Sequence, residues 1–327
     1  MSAKPTRVAV VGVGEFGRNH VRVYAEMPDV ELVGVVDSNA ARAAQVAAEF
    51  KTKVLTGLAA LPGNVDAVSV AAPTARHAEI GCALLQQGID VLVEKPMASS
   101  LAEADALISA ARRGNRILQV GHLERYNPAV VAAEAIVKRP LFFEVHRLGI
   151  FTPRSLDIDV VFDVMIHDLD ILLAFVGEAV TDVRAVGIPV VSDKVDIAHA
   201  RLEFAGGAVA NVTASRVSTE RVRKMRFFQE KEYISLDYSR KDALRVRVAK
   251  PGTPPEFAFE KLPTVDREPL RAELAAFVES VRTRQNPRVD GEAGRRALEL
   301  AARVAESILE HGRSVQLSGF VSPVTQQ

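Results

Sequence analysis

Two alternating periods over the first 120 residues constrain the fold more than any other feature of this sequence. Short apolar runs, typical of strands that are buried on both faces of a parallel sheet, occur at residues 7–14, 30–37, 65–72, 89–95 and 116–121. Segments with helical spacing separate them, at residues 15–27, 39–50, 75–87 and 100–113. Regular alternation of strand and helix requires right-handed crossovers. The pattern therefore predicts an α/β domain with a doubly wound parallel sheet over residues 1–122.

Beyond residue 122 the pattern changes to a series of strands without helices between them. Before this series, the sequence predicts a short helix at 128–138, a strand at 142–149 and an apolar helix at 160–176. Then come six strand-like stretches and two amphipathic helices, at 182–191, 196–205, 207–217, 223–230, 232–238 and 243–249, and at 269–284 and 291–311. Strands joined directly to one another favour a large, open, mostly antiparallel sheet.

This change of pattern divides the chain into two domains. We expect a C-terminal domain over residues 123–317, which binds substrate and mediates oligomerisation, and a flexible tail over residues 318–327. An open sheet with helices on one face leaves its other face to be covered. A homodimer or homotetramer formed through the C-terminal sheet is therefore expected.

Charge and cysteine content exclude several classes of protein. The 41 basic and 41 acidic side chains give a formal net charge of zero without any basic run, which argues against nucleic acid or an anionic membrane surface as the main partner. The single cysteine, Cys82, excludes an intramolecular disulfide and a multi-cysteine zinc site, and it suits a reducing compartment. The apolar run at 8–13 is too short for a signal peptide, and no later stretch approaches a membrane span. We expect a cytoplasmic protein that acts on a small molecule, without a bound metal.

A glycine-rich turn closes the first predicted strand and opens the first predicted helix. Its pattern, G-x-G-x-x-G, comprises Gly12, Gly14, Glu15, Phe16 and Gly17. Such a turn lets the backbone approach a pyrophosphate, which the amides and dipole of the helix start would stabilise. Asp37, 20 residues beyond Gly17 at the end of the second strand, would accept a hydrogen bond from a ribose hydroxyl and repel a 2′-phosphate. NAD is therefore predicted as the cofactor. Arg42, one helical turn further on, leaves NADP as the alternative, and a glycine turn without a ligand is a third interpretation.

A lysine ends the predicted strand at 89–95, within the tripeptide Glu94-Lys95-Pro96. The carboxyl ends of parallel strands border the crevice in which open α/β sheets bind ligands. A lysine at that position can place a positive charge beside a reacting oxygen. The alternative is an ordinary surface lysine next to a solvated glutamate.

A polar stripe interrupts the apolar helix predicted at 160–176. Asp163, His167 and Asp170 have the spacing i, i+4 and i+7, which brings them to one helical face among aliphatic side chains and Phe162. Burying ionisable groups in such surroundings is costly unless they are paired, and a carboxylate paired with an imidazole orients a general base. A solvated polar face and a metal site are the two other interpretations of this stripe.

Six segments resemble, in their order and spacing, those of the Gfo/Idh/MocA oxidoreductases. They are GVGEFG (12–17), AAPTARHAE (71–79), VLVEKPMA (91–98), VGHLERYNPAV (120–130), the Asp163-x-x-x-His167 helix and LRAELAAFVESVRTRQNP (270–287). The resemblance covers nearly the whole chain. It implies an N-terminal Rossmann domain, a C-terminal α/β domain with a large open sheet, and NAD(P)-dependent oxidation or reduction of a sugar or cyclitol hydroxyl.

The resemblance also implies roles for particular residues. His167 would remove the hydroxyl proton, Asp163 would orient its ring, and Lys95 would stabilise the oxygen, with a peptide bond between Lys95 and Pro96 that is often cis in this family. The residues that it implies beside the nicotinamide end of the cofactor are Ala72, Pro73, Thr74, His77, Glu94 and Lys95 itself.

The combination of GHLERYNPA with DVVFDVMIHDLDI is most similar to the branch of the family that oxidises the 3-hydroxyl of UDP-N-acetylglucosamine. Residues 156–162 depart from the glycine-rich stretch that many members carry at this point, which argues against a simple inositol or glucose dehydrogenase. Because arginine suits bidentate contacts to a diphosphate, Arg125, Arg147 and Arg154 are candidate substrate residues. Tyr126, next to Arg125, is a fourth candidate. A free sugar, a cyclitol or another nucleotide sugar is an alternative substrate, and a non-catalytic NAD-binding sensor is an alternative function.

Overall fold

The computed structural model describes residues 4–152, 158–250 and 254–315. The candidate substrate residue Arg154 and the predicted tail at 318–327 lie outside these described residues. The chain groups into two compact units, each with its own sheet. The N-terminal unit comprises the residues up to Tyr126 together with Arg267–Leu298, and the C-terminal unit comprises Asn127–Asp266 together with the chain from Glu299 onward.

The N-terminal unit is built on a five-stranded parallel sheet. Its strands are β1 (Thr6–Val11), β2 (Val30–Val36), β3 (Ala67–Val70), β4 (Asp90–Glu94) and β5 (Leu118–Gly121), in the order β2-β1-β3-β4-β5. A parallel bridge between Val35 and Val54 adds a rudimentary further strand beside β2. With this bridge the strand order is that of the doubly wound Rossmann sheet, in which the chain reverses direction across the sheet between β1 and β3. The predicted doubly wound parallel sheet is confirmed.

Four helices connect these strands. They are α1 (Glu15–Ala25), α2 (Ala40–Glu49), α3 (His77–Gln86) and α4 (Leu101–Gly114), and a short 3₁₀ turn at Thr74–Arg76 leads into α3. Side chains cap two of them. Asn39 Oδ1 accepts a hydrogen bond from the amide of Arg42 at the start of α2, and Ser100 Oγ accepts one from the amide of Glu103 at the start of α4. Capping satisfies amides that a helix leaves without partners in its first turn.

The C-terminal unit contains an eight-stranded sheet. Its helices are α5 (Pro128–Glu134) and α6 (Ile166–Val176), the latter preceded by a π-helical turn at Val161–Met165. Its strands are β6 (Phe142–Ile150), β7 (Val180–Ile188), β8 (Ile197–Phe204), β9 (Val209–Ser218), β10 (Val222–Gln229), β11 (Glu232–Asp237), β12 (Asp242–Lys250) and β13 (Glu256–Lys261). The order is β13-β12-β11-β10-β6-β9-β8-β7, and each neighbouring pair is antiparallel except β6 with β9. The mostly antiparallel open sheet is confirmed, and β13 is an edge strand that the sequence analysis does not predict.

Two helices follow the second sheet, α7 (Pro269–Thr283) and α8 (Gly291–Ser314). The sequence pattern predicts that both belong to the C-terminal domain, but the structure places α7 and the start of α8, up to Leu298, in the N-terminal unit. The remainder of α8 belongs to the C-terminal unit. Its apolar face, which includes Leu274 and Phe277, joins the same buried core as Val8 of β1 and Tyr24 of α1. The predicted boundary at residue 122 therefore separates the strands of the two sheets correctly. It does not predict that α7, far along the chain, packs on the core of the N-terminal unit. Among the residues described, no helix combines the length and the apolar character that crossing a membrane requires.

Candidate active site

The glycine-rich turn joins β1 to α1. Gly12 has a φ of +83°, and a Cβ there would lie 2.6 Å from the backbone nitrogen of Ala72, so only glycine fits. A Cβ at Gly17 would collide with the carbonyl of Gly12, so this glycine lets α1 pack closely against the end of β1. At Gly14, the N-cap of α1, a Cβ would meet nothing within 4 Å. The turn therefore presents an unobstructed backbone at the N-terminus of a helix, as phosphate binding requires.

A cavity of about 740 Å³ borders this turn within the N-terminal unit. It lies at the carboxyl ends of β1 and β3, where the chain order of the sheet reverses, and its volume is within the range of about 300–1,000 Å³ that is usual for ligand pockets. Seven of the predicted cofactor residues line it: Gly12, Gly14, Glu15, Phe16, Asp37, Ala72 and Pro73. The cavity is also lined by residues 55–58, by Arg42 and Arg76, and by Val11, Val36, Ser38, Ala71 and Ile80.

Asp37 lies at the end of β2 and is held by three groups. Its Oδ2 accepts a hydrogen bond from the amide of Val13 at 2.8 Å, and its Oδ1 accepts one from the amide of Asn39 at 2.8 Å. Arg42 donates to both carboxylate oxygens, at 3.1 and 2.7 Å. Burial acts to raise the pKa of Asp37, but the Arg42 guanidinium and the two amides outweigh it and hold the pKa below its ordinary value. The carboxylate is thus kept ionised at the edge of the cavity.

Lys95 follows β4 directly and is half-buried, and its peptide bond to Pro96 is cis. The neighbouring Glu94 is buried, at 6% exposed, and its Oε2 accepts a hydrogen bond from the amide of Lys95 at 3.2 Å. Its other oxygen, Oε1, lies 3.0 Å from Nε2 of His20 in α1. A Cβ at Gly121 of β5 would lie 2.7 Å from the same Oε1, so the glycine makes room for the carboxylate. The side chain of Glu94, directly before the lysine, is therefore held in place on both of its oxygens.

His77 opens α3 and is 1% exposed. Its Nδ1 lies 2.9 Å from the carbonyl oxygen of Pro96, and its Nε2 lies 2.7 Å from that of Ala72. Burial lowers the pKa of His77 and outweighs the two carbonyl contacts, which act to raise it. Both ring nitrogens face backbone carbonyl oxygens, and the nitrogen that carries the proton donates a hydrogen bond to its carbonyl. The geometry therefore favours a role in joining the loops after β3 and β4 over direct contact with a cofactor. Thr74 lies in the 3₁₀ turn between these residues.

The predicted aspartate and histidine of the C-terminal unit stand on one helical segment. Asp163 lies in the π-helical turn, His167 is the second residue of α6, and both are half-buried. Asp170, the third member of the stripe, is buried at 2% exposed. The sequence predicts an unbroken α-helix here, but the structure has a π turn at Asp163. Single π turns within α-helices are rare and occur frequently at functional sites.

Arg147, a candidate substrate residue, is instead committed to a contact inside the C-terminal unit. Its Nε and Nη2 donate to the two oxygens of Asp168 at 2.6 and 2.9 Å, and its guanidinium carbon lies 4.7 Å from the centroid of the Tyr238 ring. The side chains of Arg147 and Asp168 are 6% and 0% exposed. This pair joins β6 to the residue immediately after His167. The geometry therefore favours a role in holding α6 over the predicted contact with a diphosphate.

A second buried pair holds the chain that leads into the π turn. Arg216 of β9 lies 3.1 Å from Asp196 and also donates to the carbonyl oxygens of Ile158 and Val195. Asp159 accepts a hydrogen bond from the amide of Val195 at 2.8 Å. The start of the segment that carries Asp163 and His167 is thus held to β9 and to the residues that lead into β8.

Arg125 and Tyr126, the other candidate substrate residues, lie in a 3₁₀ turn at Leu123–Tyr126 after β5. They are 9% and 7% exposed, so both are largely buried in the chain. The guanidinium of Arg288 lies 5.6 Å from the centroid of the Tyr126 ring. Their place directly after β5 puts them at the carboxyl edge of the parallel sheet, the edge that borders the crevice in folds of this type.

The residues of the N-terminal unit fit a dinucleotide. Gly12 and Gly17 have no space for a side chain, Gly14 leaves the helix start open, and the carboxylate of Asp37 stands at the end of the next strand. These are the parts that bind a pyrophosphate and a ribose hydroxyl in a doubly wound sheet. Fold and site together define a dinucleotide-binding protein of the Rossmann class that carries a second α/β unit.

Comparison with known proteins identifies the family. Residues 6–122 match the oxidoreductase family with an NAD-binding Rossmann fold, and residues 130–235 match the Gfo/Idh/MocA C-terminal domain. The chain belongs to the Gfo/Idh/MocA family of oxidoreductases, and its cofactor domain is of the NAD-binding type.

Three relatives show how closely the chain follows the family. It is 40% identical over 306 residues to UDP-N-acetylglucosamine 3-dehydrogenase of Acidithiobacillus ferrooxidans, across 92% of this chain and 97% of that protein. A solved structure of that enzyme superposes with a TM-score of 0.88 at 39% identity, over 92% and 97% of the two chains. Myo-inositol 2-dehydrogenase of Thermotoga maritima is 27% identical over 335 residues, across 96% and 99% of the two proteins. Levoglucosan dehydrogenase, solved with NADH and levoglucosan, has a TM-score of 0.85 at 20% identity and shares the fold.

Sequence reasoning missed the side chains that hold the predicted site residues in place. His20 is separated from Glu94 by 74 residues and Arg147 from Asp168 by 21, and neither pair has a local pattern. The one available signal was the charge of Asp168 within an aliphatic helix, since a buried carboxylate requires a cationic or donor partner.

Proposed function

We propose that the protein oxidises the 3-hydroxyl of UDP-N-acetylglucosamine with NAD. The observation that carries this proposal is the 40% identity to an enzyme of that name across 92% of this chain and 97% of the relative. The conjunction of Lys95, Asp163 and His167 with an NAD-type cofactor unit supports it, because oxidation of an alcohol needs a hydride acceptor, a base and a charge beside the oxygen.

Each half of the chain contributes one part of the proposed chemistry. Bound NAD supplies the acceptor for the hydride that leaves the ring carbon. The glycine-rich turn and Asp37 hold the cofactor, and Lys95 stabilises the negative charge that develops on the substrate oxygen. His167 accepts the hydroxyl proton, and Asp163, four residues before it on the same helical segment, orients the imidazole and stabilises its protonated form.

We propose that Arg125 and Tyr126 contribute to recognition of the nucleotide sugar. A diphosphate requires cationic donors, and Arg125 stands after β5 with only 9% of its surface exposed, which limits the competing water. Arg154 keeps its sequence-based assignment to the same role.

The proposed substrate is tested by following NADH absorbance with four candidates: UDP-N-acetylglucosamine, N-acetylglucosamine, UDP-glucose and myo-inositol. NAD reduction is expected with the first at the largest kcat/KM, since both the diphosphate and the sugar contribute binding. Turnover that is fastest with N-acetylglucosamine or myo-inositol would overturn the UDP-sugar assignment while leaving the dehydrogenase. Failure of every candidate, with NAD still binding, would favour the non-catalytic sensor.

Asp37 is expected to set the preference for NAD over NADP. Replacing it by serine removes a charge that repels a 2′-phosphate and releases Arg42 to bind that phosphate. The ratio of kcat/KM for NADP to that for NAD is expected to rise roughly tenfold or more, since a hydrogen bond to a charged group is worth about 1.5–3 kcal/mol. Asp29→Ser is the matched control, because it removes the same charge from the residue just before β2, where Asp29 pairs with Arg282. An unchanged ratio in Asp37→Ser would exclude this role.

We infer that the enzyme works in the cytoplasm, because a reducing compartment suits the single Cys82.

We also infer that it forms an assembly of two or four copies joined through the eight-stranded sheet. Phe142, Phe228 and Tyr233 form an outward aromatic cluster on the sheet, with centroid distances of 5.8 and 5.1 Å, and exposed apolar clusters mark contact surfaces. Light scattering on the intact chain measures the number of copies, and a monomer would contradict the assembly.

A further inference from the structure

Two buried imidazoles contact the residues on either side of Lys95. One, His20, contacts the side chain of the preceding residue, Glu94, and the other, His77, contacts the carbonyl of the following residue, Pro96. The two histidines are 0% and 1% exposed. All of these residues belong to the N-terminal unit. The backbone that carries Lys95 is therefore fixed immediately before and immediately after the lysine.

The contact on the first side runs from α1 to the amide of the lysine itself. Nε2 of His20 lies 3.0 Å from Oε1 of Glu94, and the second carboxylate oxygen accepts the hydrogen bond from the amide of Lys95 at 3.2 Å. Gly121 leaves the carboxylate just enough room, since the atoms of this group would lie 2.7–2.9 Å from any Cβ added there. The carboxylate occupies the space that the missing side chain of Gly121 leaves, with the imidazole of His20 at Oε1 and the amide of Lys95 at Oε2.

The contact on the second side joins two loops. His77 places Nδ1 at 2.9 Å from the carbonyl oxygen of Pro96 and Nε2 at 2.7 Å from that of Ala72. Ala72 and Pro73 line the cavity that fits the cofactor. The imidazole therefore relates the position of the lysine turn to the loop that borders the cofactor cavity.

A lysine at the end of a strand has four rotatable side-chain bonds, so the position of its ammonium depends on how firmly the backbone beneath it is held. Hydrogen bonds in a buried, low-dielectric environment are strong and directional. Catalytic geometry is sensitive to displacements on the order of 1 Å, which can cost about 10²-fold in rate.

We propose that His20 and His77 are positioning residues that hold the Lys95 turn in register with the cofactor cavity. The proposal rests on the proposed function in one respect, namely that Lys95 acts on the substrate oxygen. The two histidines themselves make no contact with the reacting atoms. They act through Glu94 and through the Pro96 carbonyl.

The test replaces each histidine by asparagine and by glutamine. The amide nitrogen of asparagine takes the place of Nδ1 and that of glutamine the place of Nε2, so the two substitutions preserve different hydrogen bonds.

At position 20 the required contact is made by Nε2, so His20→Gln is expected to retain most of kcat and His20→Asn to lose it. At position 77 the contact to Pro96 is made by Nδ1, so the order reverses and His77→Asn is the better variant. The poorer variant at each position is expected to lose about 10–100-fold in kcat, with KM for NAD changed by less than about threefold. A purely space-filling role would rank the two amides in the same order at both positions, which would overturn the proposal.

A double-mutant cycle with Lys95→Met separates positioning from general damage. If the histidines act through the lysine, His20→Asn costs about 10–100-fold with Lys95 present and less than about twofold in the Lys95→Met background, because coupled residues are not additive. Equal losses in both backgrounds would show damage independent of Lys95 and would overturn the inference. Full turnover of the Lys95→Met single variant would exclude the role of Lys95 and with it this inference, while the proposed oxidation would stand. Absence of turnover in the wild type would instead overturn the proposed function.

Tyr24→Phe is the matched control. Tyr24 is buried on the same helix as His20, one turn further on, and its hydroxyl lies 2.7 Å from Oγ of Ser69. The variant deletes a buried hydrogen bond of α1 without touching Glu94 or the lysine turn. The kcat of Tyr24→Phe is expected to match that of the wild type. Any histidine variant that is less stable than Tyr24→Phe is also tested for NAD binding, which confirms that its N-terminal unit is folded.

Discussion

Replacing His167 by alanine is expected to lower kcat on UDP-N-acetylglucosamine by about 10²–10⁴-fold, the usual contribution of a positioned general base. The dissociation constant for NAD is expected to stay unchanged, because His167 belongs to the C-terminal unit, whereas the cofactor cavity is lined by residues of the N-terminal unit. Steady-state rates measured by NADH formation, together with NAD binding measured by calorimetry, check the two halves of this result.

Two further measurements show whether the lost group is a base. Added imidazole is expected to restore part of the turnover of His167→Ala, because a free imidazole can enter the space left by the side chain and accept the proton. His311→Ala is the matched control, since it removes an exposed imidazole from the last turn of α8 and is expected to leave kcat unaltered. Retention of full turnover by His167→Ala would exclude the residue from proton transfer.

The proposal also requires one substrate to contact Lys95 and His167, which belong to different units of the chain. If both act on the same oxygen, the loss in the double variant Lys95→Met with His167→Ala is expected to be much smaller than the product of the two single losses. Independent, multiplying losses would mean that the two side chains serve separate steps.

The sequence predicts the parallel half of the fold in nearly all its detail. Strands buried on both faces are read from continuous apolar runs, and glycine turns and side-chain caps mark the helix starts, so each signal is local. The glycine-rich turn and Asp37 are predictable for the same reason, because a short stretch of backbone defines a pyrophosphate site. The likeness to the family comes from the order of such local signals.

The parts that sequence reasoning misses depend on contacts between distant residues. The apolar face of α7 could cover either sheet, and only the packing of Leu274 and Phe277 with Val8 shows that it returns to the first one. β13 is an exposed edge strand in which Phe259 is 71% exposed, so its alternation lacks the contrast between buried and solvated faces that reveals a strand. No residue type in the sequence marks the π turn at Asp163, because the turn differs from an α-helix only in its hydrogen-bond pattern.

The same limit applies to Arg147, whose role cannot be read from its charge. An arginine near a catalytic helix suggests a phosphate ligand, but in the structure its partner is the buried carboxylate of Asp168 on that helix. The difference has a measurable consequence, since a phosphate ligand affects substrate binding and a buried ion-pair partner affects folding.

Replacing Arg147 by methionine is expected to destabilise the protein by about 3–5 kcal/mol, the usual cost of leaving one charge of a buried pair without its partner. Asp168 has no exposed side-chain surface, so water cannot compensate for the lost guanidinium. The change is measured as the shift of the urea unfolding midpoint of the whole protein, followed by far-ultraviolet circular dichroism.

Three comparisons decide what the pair contributes. The double variant Arg147→Met with Asp168→Leu is expected to recover most of the loss, because a buried ion pair can be replaced by apolar side chains at little cost in stability. Arg184→Met is the matched control from an exposed pair in the same unit, where Arg184 is 80% exposed beside Asp182, and it is expected to cost no more than about 1 kcal/mol. In the double variant, kcat is expected to fall because α6 loses its directional anchor beside His167, whereas KM for UDP-N-acetylglucosamine stays within about threefold because no phosphate contact is removed. A raised KM in Arg147→Met at unchanged stability would instead make Arg147 the diphosphate ligand that its charge alone suggests.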